Sequence, residues 1–216
     1  MENSILNTYK SDLLKNKIMT DKQKKILETS IELFAKKGYA NTSTKEIAKE
    51  SGVAEGTIFK HFGTKENLLF SAIIPFIIEY AIPEITKDFK SVDIKEVYPD
   101  FRAFIHTLIY DRFDIISKNY KIAHIVFAEI LYREELRVNL ANTIGPSLTK
   151  NFYYIFDYFK SEKKLKDVPN NIIMNTIFSN MCGYIVFEYV FKSGEQHYDK
   201  EELKYIEDLI VNAFAL

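Results

Sequence analysis

The stretch from Ser43 to Phe62 reads STKEIAKESGVAEGTIFKHF and holds two short amphipathic segments around a glycine. Ala48 is small enough to let two helices cross closely, and Gly52 can adopt the positive φ that a tight turn needs. Ile47 and Ile58 would then pack between the two segments. The spacing of Ala48, Gly52 and Ile58 is typical of a helix-turn-helix, and we predict that motif here.

The second of these two helices should present a polar outer face, which consists of Glu55, Gly56, Thr57, Lys60 and His61. A glycine inside a helix costs roughly 1 kcal/mol relative to alanine, and close approach to another surface is a reason to tolerate it. Residues 17–65 carry ten Lys against six Asp or Glu, whereas residues 66–216 carry 17 Lys or Arg against 22 Asp or Glu. A basic front on an acidic body favours DNA binding, although a plain helical hairpin in a bundle would show the same spacing.

Apolar residues recur at spacings of three and four along nearly the whole chain, which predicts an all-α fold. Thr20 and Gln23 form a capping box at the start of the first helix, and Gly38 ends that helix. Thr64 caps a fourth helix. The pattern predicts further helices near 94–117, 121–132, 134–161, 170–191 and 200–214.

Several functional classes find no support in the sequence. The only cysteine, Cys182, excludes an intrachain disulfide, and the four histidines have no metal-binding spacing. We find no catalytic motif, and therefore predict no enzyme activity, no metal and no cofactor. The chain does not start like a signal peptide and has no apolar run that suits a membrane span, so we expect a cytoplasmic protein.

The segment from Gly38 to Leu69 closely resembles the DNA-binding region of TetR-family transcriptional regulators. When the first helix is counted as well, the resemblance extends over the first helix and the helix-turn-helix. The rest of the chain matches the family only in length and helical content. The matching residues are Thr42-Ser43, Ile47-Ala48, Gly52-Val53, Gly56-Thr57, Phe59, His61-Phe62 and Lys65-Glu66-Asn67-Leu68.

The resemblance implies a role for each matching position. Ser43 would hold a phosphate, the outer residues of the second helix would face bases, and basic residues would touch phosphates. The family usually has Tyr at position 59 and often Ser at position 54. Phe59 and Ala54 therefore predict weaker DNA binding, which Lys45 or the basic N-terminal arm (Lys10, Lys15 and Lys17) could offset. The predicted DNA-binding residues are Ser43, Lys45, Glu55, Gly56, Thr57, Phe59, Lys60, His61 and Lys65.

The resemblance also implies two domains. We predict an N-terminal arm with the DNA-binding domain in residues 1–65, and a helical domain for effector binding and dimerisation in residues 66–216. The protein would then be a homodimer on a near-palindromic operator, and a repressor released by a small lipophilic or aromatic effector. The alternative is a helical protein that binds or modifies a small molecule and whose N-terminal hairpin is only structural.

The body of the chain offers candidates for both of the remaining functions. A broad aromatic stripe and an all-round apolar helix suggest a partner chain, because a helix that is apolar on every side must be buried on every side. The predicted interface residues are Leu148, Phe152, Phe156, Phe159, Ile177 and Tyr184. The predicted effector pocket consists of Phe76, Tyr80, Phe104, Leu108, His124, Phe127, Phe178 and Met181.

Overall fold

The structure is a computed structural model that describes residues 19–77, 93–188 and 198–216. These residues are helical apart from turns and one isolated antiparallel bridge between Leu165 and Ala215, so the predicted all-α fold is confirmed. The helices are α1 (Asp21–Lys37), α2 (Thr44–Ser51), α3 (Glu55–Phe62), α4 (Lys65–Phe76), α5 (Ile94–Val97), α6 (Phe101–Lys118), α7 (Tyr120–Tyr132), α8 (Glu134–Ser161), α9 (Asn170–Val186) and α10 (Lys200–Phe214).

Capping residues set the first helix boundaries as the sequence predicts. The backbone N–H of Gln23 donates to the Thr20 hydroxyl, and the Thr20 N–H donates to Oε1 of Gln23 at 2.9 Å. Gly38 follows α1 with a φ of 79°, a value that costs glycine little. The Tyr39 ring then packs on Phe34, with ring centroids 5.4 Å apart.

One predicted helix is divided in two. The segment predicted as 94–117 forms α5 and α6, with a break at Tyr98 to Asp100. Pro99 has no backbone N–H and restricts the residue before it, and Tyr98 is indeed extended, with φ −131° and ψ 97°. The predicted helix 170–191 is α-helical as far as Val186 and continues as a π-helical turn at 187–188, and residues 189–191 lie outside the described part of the chain.

The chain divides into two compact units. Unit 1 comprises residues 1–83 and 119–144, and unit 2 comprises residues 84–118 and 145–216. In unit 1, α7 packs against both α1 and α4, so this unit continues past residue 65. The predicted division of function at residue 65 stays a prediction.

The core of unit 2 is aromatic. Phe101 lies edge-on to Phe156 and Phe159, with ring centroids 6.5 and 6.0 Å apart, and Phe104 lies edge-on to Phe152 at 5.6 Å. Such tilted contacts add to the area that the rings bury. The aromatic stripe of α8 is therefore the core of one protomer.

This packing bears on the predicted dimer interface. The side chains of Phe152, Phe156, Phe159 and Ile177 are buried within unit 2 and leave little surface for a partner chain, so their part in an interface stays a prediction. Leu148 and Tyr184 are half-buried, and the Tyr184 hydroxyl donates to Glu202 at 2.9 Å. The sequence pattern detected the hydrophobic stripe, but a stripe that faces its own core has the same period as one that faces a partner.

Within the described ranges, none of the helices is both long enough and apolar enough to cross a membrane.

Candidate nucleic-acid interface

A glycine turn joins α2 to α3. Gly52 has the left-handed values φ 70° and ψ 32°, and the N–H of Val53 donates to the carbonyl of Ala48 at 3.0 Å. Ile47 and Ile58 are fully buried, and Ala48 is almost so. The small side chain of Ala48 and the left-handed glycine let α2 and α3 pack closely, which is the helix-turn-helix that the sequence predicts.

The outer face of α3 is open. Ile58 and Phe62 point into unit 1, whereas Gly56 and Lys60 are exposed and Thr57 and His61 are half-buried. A Cβ atom built on Gly56 would have no heavy atom within 4 Å, so the glycine leaves a notch in this face. The face therefore offers a cation and an indentation to an approaching surface.

Phe59 also belongs to this face and is 46% exposed. A phenylalanine that leaves nearly half of its surface exposed makes only part of its possible hydrophobic contribution to its own unit, because that contribution scales with the buried area. Its ring is available to whatever surface meets α3.

A hydrogen bond links the first residues of the two helices. The Thr44 hydroxyl donates to Oε1 of Glu55 at 2.6 Å, in a part-buried position. Ala54, which precedes α3, provides no side-chain cap, as the sequence predicts. Glu55 is the acidic residue of the first turn of α3, where the helix dipole favours a negative charge.

Ser43 and Lys45, at the start of α2, are both exposed. The Ser43 hydroxyl accepts the N–H of Glu46 at 3.1 Å and can still donate its own proton to a phosphate oxygen. The Glu46 carboxylate forms an ion pair with Lys37. That ion pair holds the pKa of Glu46 below its usual value.

Lys65 differs from the other predicted phosphate contacts because it turns toward its own unit. Its Nζ donates to the Tyr39 carbonyl at 2.5 Å and lies 4.1 Å from the centroid of the Tyr39 ring. Burial, followed by the nearby Arg133 charge, lowers the pKa of Lys65. A phosphate contact by Lys65 stays a prediction, and it would require the ammonium group to leave Tyr39.

Arg133 also belongs to this cluster and was not predicted from the sequence. Its guanidinium lies 4.2 Å from the centroid of the Tyr39 ring, its Nε donates to Glu129 at 2.6 Å, and it forms an ion pair with Glu66. Two cations thus lie within 4.2 Å of the centroid of the Tyr39 ring, whose π system attracts them. Arg133 and Glu66 are 67 positions apart in the sequence, so no local pattern could have indicated this contact.

The predicted pocket residues are divided between the two units. In unit 1, Phe76 is buried and His124 and Phe127 are half-buried, while Tyr80 lies outside the described residues. In unit 2 the members are the buried Phe104, Leu108 and Met181 and the half-buried Phe178. That these residues form one pocket stays a prediction.

No group of three or more His, Cys, Asp or Glu side chains in the described ranges is arranged to hold a metal ion. The features that do converge are the open face of α3, the exposed start of α2 and the cluster around Tyr39.

Residues 26–72 match the family model described as bacterial regulatory proteins, tetR family. The chain is 35% identical over 144 residues to an uncharacterized HTH-type transcriptional regulator, YerO, of Bacillus subtilis (strain 168), which covers 58% of this chain and 49% of the relative. It is 47% identical over 55 residues to another regulator of that strain, YuxN, covering 26% of this chain and 19% of the relative. The chain thus spans half or less of the length of these curated relatives.

Solved structures resemble the whole fold. A transcriptional regulator from Saccharomonospora viridis in complex with choline has a TM-score of 0.68 at 16% identity, over 90% of this chain and 97% of that chain. The ketosteroid transcriptional regulator KstR2 of Mycobacterium tuberculosis has a TM-score of 0.69 at 13% identity, over 92% of this chain and 97% of that chain. At these identities the likeness concerns the fold alone.

Proposed function

We propose that this chain is a DNA-binding transcriptional regulator of the tetR family, whose model matches residues 26–72. The observation that carries the proposal is the open face of α3, held by the buried contacts of Ile47, Ala48 and Ile58 behind it. We further propose that the protein represses transcription, and that a small molecule releases it from its operator.

The dimensions of α3 suit the major groove of DNA. An α-helix with its side chains is about 10–12 Å across, and the major groove is about 12 Å wide, so α3 can enter it. The notch at Gly56 lets the helix backbone approach the base edges. Around it, Ser43, Lys45 and Lys60 offer donors to phosphates, and base contacts would come from Glu55 and Thr57.

We propose a homodimer, and place its interface on the outer faces of α9 and α10. These helices pack against each other within unit 2. Their large apolar side chains that remain exposed are Ile172, Val186, Tyr205 and Leu209, followed by Phe187 after α9 and Leu216 after α10. Two such helix pairs would form a four-helix interface, and a two-fold dimer matches a near-palindromic operator with half-sites about 34 Å apart.

The proposed effector is small and lipophilic or aromatic. One structural neighbour is in complex with choline and another is a ketosteroid regulator, so both support a small organic effector, and the ketosteroid supports a lipophilic one. Since a regulator of this kind acts on the chromosome, we place the protein in the cytoplasm and assign it no catalytic role.

The test of the proposed function is selection of DNA from a randomised duplex library. We expect one near-palindromic sequence to be enriched. If each subunit contacts roughly four phosphates, a dimer neutralises about eight, which gives a log–log salt slope near −7. A duplex of the same composition in scrambled order is the control, and should bind more weakly at every salt concentration. If no sequence is enriched and the two duplexes bind equally, the chain is not a sequence-specific regulator.

A further inference from the structure

The hydrogen bond between Thr44 and Glu55 lies where α3 begins, and in a helix-turn-helix that end of the recognition helix lies nearest the base edges. A carboxylate at such a position needs a partner, because the surrounding phosphates repel it and burial of a charge without a partner is costly. Glu55 is already half-buried in the protein. The negative charge must therefore meet a hydrogen-bond donor when α3 enters the groove.

Only some bases can supply that donor. An ionised carboxylate accepts hydrogen bonds and cannot donate them. In the major groove guanine presents two acceptors, thymine one acceptor and a methyl group, and adenine an acceptor beside its amino group. Cytosine alone presents an amino donor without an acceptor of its own. It is therefore the only base that can donate to a carboxylate without also placing an acceptor against it.

Thr44 determines which oxygen of Glu55 is left for the base. Its hydroxyl donates to Oε1 at 2.6 Å, which restricts the rotation of the Glu55 side chain and leaves Oε2 for an outside donor. The partner comes from α2, so the carboxylate is held in place by the helix that packs behind α3. Ordering the side chain before DNA binds reduces the entropy lost on binding.

From this geometry we infer that Thr44 and Glu55 form one base-reading pair, in which Thr44 positions the carboxylate and Glu55 selects cytosine at one position of each half-site. The inference rests on the proposed function and adds to it a base and a positioning residue. It also predicts how the base preference changes when Glu55 is replaced by glutamine, which has nearly the same shape.

The decisive variant is Glu55→Gln, tested by the same library selection as the wild-type protein. The amide oxygen can still accept from Thr44, so the amide NH2 group is turned outward as a donor. We expect wild type to prefer cytosine at one position by on the order of tenfold. The variant should lose that preference and favour a base with acceptors, guanine first, while all other positions stay unchanged.

Glu50→Gln is the matched control, because it removes the same charge from an exposed residue of α2 that lies outside the proposed pair. Loss of a negative charge should raise the affinity of both variants for any DNA, but only Glu55→Gln should alter a base preference. Thr44→Val tests the positioning role: it should weaken the cytosine preference without abolishing binding, and Thr44→Ser should restore it. Melting temperatures identify any variant that is unfolded.

The outcomes separate the two hypotheses. If wild type enriches no sequence, the proposed function fails. If wild type enriches an operator but Glu55→Gln selects the same base at every position, the carboxylate reads no base and the inference is overturned. If Glu55→Gln changes the preference but Thr44→Val behaves as wild type, the positioning role of Thr44 is overturned.

Discussion

Helices α3 and α8 both have a periodic sequence pattern that predicts a face toward another molecule, but that face is exposed in α3 and buried in α8. In both, a periodic set of side chains was expected to face another molecule. In α3 the expected residues Gly56, Phe59 and Lys60 are exposed, whereas in α8 the expected residues Phe152 and Phe156 are buried in their own unit.

The difference lies in what each periodic set consists of. On α3 the outward residues are polar apart from Phe59 and the inward ones are apolar, so burial of Ile58 determines which side faces out. On α8 the expected set was apolar, and an apolar stripe serves a core as well as an interface. A partner surface is better indicated by a second apolar face that the core leaves exposed, which α9 and α10 possess.

Among the variants that test this comparison, we expect Leu209→Glu to have the largest effect, on both dimerisation and operator affinity. Leu209 is 58% exposed on α10, so a charge there should not disturb the protomer but should be unfavourable inside a dimer interface. We expect a monomer of 25.2 kDa in sedimentation velocity at micromolar concentration. Operator affinity should fall by roughly two orders of magnitude or more, because one subunit reads only one half-site.

Tyr154→Glu on α8 is the control, since Tyr154 is exposed but belongs to the helix whose stripe proved to be core. It should remain a dimer. If Leu209→Glu remains a dimer and Tyr154→Glu becomes a monomer, the interface lies on α8 and not on α9 and α10.

Arg133→Ala should have the next largest effect, on the stability of unit 1. The substitution removes the ion pairs with Glu129 and Glu66 and the contact with the Tyr39 ring. Arg133 is only partly exposed and its partners would lose their cation, so we expect a loss of about 2 kcal/mol in the free energy of unfolding. Urea denaturation measures it.

The control is Lys118→Ala, which removes another ion pair between residues four apart, with Asp114, in an exposed position. We expect a change of less than about 0.5 kcal/mol there. Equal losses in the two variants would mean that the cluster around Tyr39 is no more than a surface ion pair.

Arg133 also illustrates what the sequence could and could not predict. Thr20, Gly38 and Gly52 act through neighbours a few positions away, and the sequence located all three boundaries correctly. The bond between Thr44 and Glu55 joins residues 11 positions apart and was missed, although the predicted helix-turn-helix brings both helix starts together. The contact between Arg133 and Tyr39 depends on how α7 packs against α1 and α4, which periodicity does not encode.

Lys60 and Lys65 extend the comparison to two lysines with the same predicted role. Lys60 is exposed on α3, whereas Lys65 donates to the Tyr39 carbonyl. We expect Lys60→Ala to reduce the magnitude of the salt slope of operator binding by about two for a dimer, because one phosphate contact per subunit is lost. Lys65→Ala should reduce it by less. Equal reductions would show that Lys65 exchanges Tyr39 for a phosphate when DNA binds.

The smallest expected effect belongs to Phe59→Tyr, which adds a hydroxyl to the exposed ring on α3. If the ring lies beside the DNA backbone, the hydroxyl can donate to a phosphate oxygen, for a net gain of about 0.5 kcal/mol per subunit. Operator binding by the dimer should then tighten roughly fivefold, with the selected sequence unchanged, because a phosphate contact carries no base information. Phe59→Leu, which keeps an apolar side chain without a donor, separates the hydroxyl from the ring. Unchanged or weaker binding by Phe59→Tyr would mean that Phe59 faces base edges, where an added hydroxyl has no phosphate to meet.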